Sequence, residues 1–200
     1  MRRFKLVKPD QAQGRTKELY EDIMNTWGKQ RLVPVFGFWG RDPDVLASAW
    51  IPCKKFEHGQ SKAPPEILVG ACLVGAMSVG CQRCIVFHAT DLTDRLGVDQ
   101  ARADLLANYQ ASYKDGKINE AEYIALRYAD CLCQGTPFNP DEWDLLCQHY
   151  DDDQIFEIAV VSLIEGMYAK YGQVMAPYDE SLDWPDEYRP SGAYATIMSK

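Results

Sequence analysis

The chain has 200 residues, with 21 Lys and Arg against 29 Asp and Glu and a formal net charge of −8. Its 46% hydrophobic and 25% charged content is that of a globular protein long enough to bury a real core. Lys and Arg form no cluster, and the acidity disfavours anionic membranes, so neither nucleic acid nor membrane is an expected partner.

The opening MRRFKLVKPD has basic residues but no apolar stretch behind them, and it does not read as a signal peptide. The most apolar run, residues 67–80, is too short to span a bilayer and suits a buried helix. A cytoplasmic location is expected. Seven cysteines, an odd number, do not read as a secreted disulfide framework. Most should be free thiols in the core, and any pair with special spacing then stands out.

In chain order, residues 15–27 read as a helix ended by Gly28. RLVPVFGFWGRDP reads as an irregular connector broken by Pro and Gly. Asp42-Pro43 starts a helix running through VLASAWIPCKKF, which Pro52 must end or kink. Residues 66–79 form a helix apolar almost all round, which places it at the centre of the fold. Gly80 ends it, and a new helix runs over 81–96 with Gly97 as its stop. VDQARADLLANYQ is a further helix. Asn119 and Glu122 form a capping box for a helix reaching Cys133, with apolar positions 121, 124, 125, 128, 131 and 132 on one stripe. Asn139-Pro140-Asp141 starts another. DDDQIFEIAVVSLIEGMYAKYG is a long last helix, acidic at its first turn as the helix dipole favours. With no alternating strand pattern and no repeat, the expected fold is all-α: a helical bundle domain over 1–175 and an irregular extended tail over 176–200.

The motif that carries chemistry is CQRCIVFH, residues 81–88. On a helix, residues three, four and seven apart share a face, so Cys81, Cys84 and His88 project from one side. Cys81 stands at a helix start, where free backbone N–H groups and the dipole favour an anion. Such a setting with a neighbouring imidazole lowers a thiol pKa. His88 is placed to take the proton of Cys84, and Cys81 to attack an oxidised Cys84 and close a disulfide. The same residues also read as half of a zinc site or as simple packing. Structural zinc commonly uses two such pairs. The only other close pair, Cys131 and Cys133, points to nearly opposite sides of its helix.

The motif and its surroundings resemble the alkylhydroperoxidase D-like branch of the carboxymuconolactone decarboxylase family. The resemblance rests on an apolar helix (GACLVGAMSVG) followed by C-x-x-C-x-x-x-H, and on RLVPVFGFWGRDPDVLASAW, INEAEYIALRYADCL and the long last helix; it covers roughly residues 15–175. It implies an AhpD-like helical fold assembled as trimers or hexamers, and an enzyme: a thiol-dependent peroxidase or dithiol–disulfide oxidoreductase. Cys84 would be the thiol oxidised by peroxide, Cys81 the resolving thiol and His88 the proton relay. The implied partners are a hydroperoxide substrate, a protein or small dithiol reductant and further copies of the chain, with no metal and no organic cofactor. The alternatives are a carboxymuconolactone decarboxylase-like enzyme, or a non-enzymatic helical oligomer whose cysteines are structural or hold zinc.

The family's usual relay glutamate, twelve residues before the first cysteine, is here Val69. Glu66 lies on nearly the same helix face, about 4.5 Å further along the axis, and is one candidate substitute. Glu165, in the apolar stretch VVSLIEGMY, is the other, because burial would raise a carboxyl pKa and suit proton shuttling. His58, after KKFE, is expected in solvent, and His149 at a helix end facing acidic side chains.

Overall fold

The computed structural model describes residues 4–28 and 32–175, and the expected tail over 176–200 lies outside them. Its centre is α4 (Pro65–Val79), buried from Ile67 through Ala76 without interruption. A helix with no polar face has to be wrapped, and three elements wrap it: α8 (Glu120–Gln134), α10 (Asp152–Val174) and α5 (Gln82–Thr90). Small residues set how closely they approach. A Cβ added to Gly75 would stand 2.6 Å from the sulfur of Cys133, so α4 and α8 touch backbone to side chain there.

Around this centre lie α1 (Gly14–Trp27), α2 (Pro34–Trp39), α3 (Pro43–Glu57), α6 (Gln100–Ala107), α7 (Tyr109–Lys114) and α9 (Pro140–His149). No strand occurs among the described residues, as an all-α fold requires. The boundaries follow local chemistry. Asn119, Asn139 and Asp151 each cap a helix in a reciprocal box with the third residue in, Glu122, Glu142 and Gln154. Gly80, at φ 80°, takes the left-handed conformation that ends α4 and turns the chain into α5.

Three expectations change. The connector RLVPVFGFWGRDP contains a helix, α2, because Pro34 at its first position needs no backbone donor and Phe36 and Trp39 bury themselves in the aromatic core. Helix α3 runs through Pro52 to Glu57, the extent expected of it. The helix expected over 81–96 changes pitch after Thr90: Asp91–Arg95 form a π-helical turn, with the Leu96 N–H bonded to the Asp91 carbonyl five residues back. The single helix expected over VDQARADLLANYQ is two, Gln100–Ala107 and Tyr109–Lys114, broken at Asn108.

Candidate active site

The turn from α4 into α5 places the cysteine pair. Cys81 caps the start of α5, its sulfur accepting from the Cys84 N–H at 3.4 Å. Cys81 and Cys84 are joined as a disulfide, with Cα atoms 5.4 Å apart, inside the span such a bridge needs. Cys81 is buried and Cys84 half-buried. Helix α10 seals the other side. A Cβ on Gly172 would lie 2.8 Å from the Cys81 sulfur and 3.8 Å from that of Cys84, so only glycine lets α10 lie so close.

Both cysteines open on a cavity of about 60 Å³, several times what one water needs. Trp27, Phe36, Phe87, Tyr168 and Tyr171 give it aromatic walls, and Arg83 and the α2 start add to its lining. His88 and Glu165 line the same cavity.

His88 is 4% exposed, and its Nε2 lies 2.8 Å from Glu165 Oε2 on α10, itself 2% exposed. A second carboxylate stands by. Glu57, on the last turn of α3, is buried, lines the cavity and hydrogen-bonds Cys53 one turn back. Burial disfavours the His88 cation, but the Glu165 charge and hydrogen bond, with Glu57 and Asp91, outweigh it and raise the imidazole pKa to about 9. Burial raises Glu57 to about 7, the His88 charge opposing it in part. Burial likewise lifts Glu165, against the pull of His88. The site therefore holds one cationic imidazole between two acids, one of them poised near neutrality. Three buried polar atoms facing this region, His88 Nδ1, Glu165 Oε1 and the Tyr168 hydroxyl, have no hydrogen-bond partner among the described residues.

Of the residues singled out in the sequence, Cys81, Cys84, His88 and Glu165 come together here. Glu66 does not. It accepts from Arg102 at 2.6 Å, and the same guanidinium pairs with Glu122, so Glu66 ties α4 to α6 and α8. Val69 is fully buried among Leu73, Leu106 and Leu126, where a carboxylate would have no partner. His58 is not in solvent: it accepts from the Trp27 indole at 2.9 Å, and burial lowers its pKa to about 4. His149 sits at the end of α9, 3.1 Å from Glu120, as expected. Cys131 and Cys133 face different carbonyls, of Pro137 and Ser162.

No protein-family profile matches the chain, and no curated protein sequence does. Solved structures do. An alkylhydroperoxidase AhpD core protein of Ralstonia eutropha JMP134, an uncharacterized peroxidase-related protein, superposes with a TM-score of 0.72 at 15% identity, over 93% of this chain and 93% of its own. A second uncharacterized peroxidase-related protein, from Silicibacter sp. TM1040, gives 0.65 at 17% identity over 84% of this chain and 89% of its own. The chain has the alkylhydroperoxidase D-like fold. The debrominase Bmp8, in an alanine variant of one cysteine and in complex with 2,3,4-tribromopyrrole, gives 0.70 at 18% identity over 97% and 96%.

Glu57 is the residue of this site that sequence reasoning passed over. A signal was present: Leu46, Ala49, Trp50, Cys53 and Phe56 mark one buried stripe at helical spacing, and Glu57 falls on it. Its neighbours Lys54, Lys55 and His58, the last expected in solvent, concealed it.

Proposed function

We propose that the protein is a dithiol–disulfide oxidoreductase whose Cys84 reduces a small apolar hydroperoxide. The observation that carries this is the cysteine pair opening on an apolar, aromatic-walled cavity that also holds an imidazole flanked by two buried acids. In the reduced form the N–H groups at the start of α5 and the His88 cation favour Cys84 as a thiolate. The thiolate attacks one peroxide oxygen, forming an S–O bond and breaking O–O. The leaving alkoxide takes a proton from His88 and departs as alcohol. Glu57 and Glu165 resupply the imidazole, replacing the carboxylate that Val69 does not provide. Cys81 then attacks the sulfur of the Cys84 sulfenic acid, water leaves and the disulfide closes. An external dithiol reopens it by exchange.

A second reading has one observation in its favour. The aromatic walls suit a flat ring, and Bmp8, of like fold, is a debrominase solved with 2,3,4-tribromopyrrole. The dithiol would then serve reductive removal of halogen from an aromatic ring: the cysteine pair gives up two electrons and two protons and closes its disulfide, the ring carbon takes one proton, and the halogen leaves as halide with the other.

Steady-state turnover with an organic hydroperoxide and a dithiol tests the first reading. Cys84→Ser should lower peroxide consumption by at least about 1,000-fold, and Cys81→Ser should leave a sulfenic acid on Cys84 detectable by dimedone labelling. Wild-type turnover in Cys84→Ser would overturn the assignment.

A further inference from the structure

Two residues of the redox relay, Glu57 and His88, also belong to a second constellation, completed by a buried thiol that the redox chemistry does not use. Glu57 from α3, Cys72 from α4 and His88 from α5 each present one ligand atom, and these atoms lie within 4.8 Å of one another. All three residues are buried. A thiol, an imidazole and a carboxylate converging from three helices form a donor set for a borderline-soft divalent ion, not for calcium or magnesium. We propose that this cluster is a zinc site, and that zinc bound there takes the His88 imidazole out of the redox relay and so inhibits the enzyme.

Two further features support a cation there. Glu165 grips His88 through Nε2, while the buried Nδ1 has no hydrogen-bond partner among the described residues. A carboxylate on one imidazole nitrogen and a free edge on the other is the arrangement that orients a metal-bound histidine. The Glu57 carboxylate also has an orienting partner. Cys53, 2% exposed, hydrogen-bonds Glu57 and lines the cavity.

Binding releases protons: Cys72 loses its thiol proton, and Glu57 and His88 lose theirs where they carry them. The ion's route is the cavity, since Glu57 and His88 line it and Cys72 stands behind them. Ligand separations must contract toward the spacing set by bonds of about 2.0–2.3 Å, a movement of the order of an ångström shared by three helices.

The proposal goes beyond the redox assignment and can be tested apart from it. The full chain with its Cys81–Cys84 disulfide closed is titrated with Co²⁺, then with Zn²⁺. In that form neither active-site sulfur can ligate, so a thiolate-to-cobalt charge-transfer band at one equivalent, displaced by zinc, reports the proposed cluster. Cys72→Ala should abolish the band, and Glu165→Gln should weaken binding by about 10–100-fold through the lost grip on His88. Circular dichroism checks that each variant is folded, and Cys72→Val offers a second, volume-matched test should alanine disturb the core. In turnover assays zinc should inhibit wild type, while Cys72→Ala keeps its basal activity and resists zinc. Absence of a band in the disulfide form, or a band unchanged in folded Cys72→Ala and Cys72→Val, would overturn the proposal. An inactive enzyme that still binds cobalt through Cys72 would overturn only the redox reading.

Discussion

At the scale of residues, the site is governed by what burial does to charge. His88 is held cationic because Glu165 touches it and Glu57 stands near, despite a dry setting that works against the cation. Glu57 is the counterpart. Its folded pKa, about 7, lies above the ordinary glutamate value, so the folded state holds the proton more tightly than the unfolded chain. Stability from this group is present below about pH 4.5 and is lost as pH rises toward 7. Glu57→Gln should therefore match wild type near pH 4.5 and exceed it by up to about 3 kcal/mol at pH 8, read from urea melts at both pH values. A variant less stable than wild type at pH 8 would mean that the carboxylate is held by partners, not merely tolerated. Cys81, Cys84 and His88 were legible in the sequence because helical spacing alone puts them on one side. Glu165 was legible as one polar residue in an apolar run. Glu57 was not, because its neighbours Lys54, Lys55 and His58 disguise the inward face of its last turn.

At the scale of elements, the site depends on how closely α10 passes the start of α5. Gly172 is the contact point, and its added methyl would meet the Cys81 sulfur at 2.8 Å. Gly172→Ala should lower the stability of the disulfide form by about 1–3 kcal/mol, the usual result of overpacking, and slow reclosure of the bridge after reduction. Thermal melts of the oxidised protein and the rate of thiol loss on reoxidation measure the two. An unchanged melt would mean that α10 can back away freely. Capping boxes and glycine stops made most helix boundaries readable. What escaped were places where tertiary packing overrode local rules: α2, stabilised by burying Phe36 and Trp39, and the π-helical turn after Thr90. A change of pitch leaves no mark in hydrophobic periodicity over five residues.

At the scale of the molecule, α10 has two faces. One packs on α4, α8 and α3. The other exposes Phe156, Leu163, Met167 and Val174, spaced seven, four and seven apart and so in one line. Such a stripe fits association with further copies of the chain, in keeping with the oligomer the family resemblance implies. Leu163→Glu should shift the mass measured by light scattering toward the monomer, raising the dissociation constant by about 10–100-fold for the loss of one buried leucine. A wild type already monomeric at micromolar concentration would remove this expectation. No helix among the described residues is long and apolar enough to cross a membrane. The all-α architecture was readable from periodicity, since an apolar helix such as α4 has to be surrounded. Which helices surround it was not, because partner choice rests on small contacts such as Gly75 against Cys133.

The central claim is that the reduced Cys84 sulfur ionises early because a helix start and the His88 cation stabilise it. Alkylation of Cys84, mapped by peptide and followed from pH 5 to 10 in reduced protein, tests it most directly. Wild type should show an inflection at least one unit below the free-thiol value of about 8.5, and His88→Ala should move it upward. An inflection near 8.5 in wild type, unmoved by His88→Ala, would contradict the account.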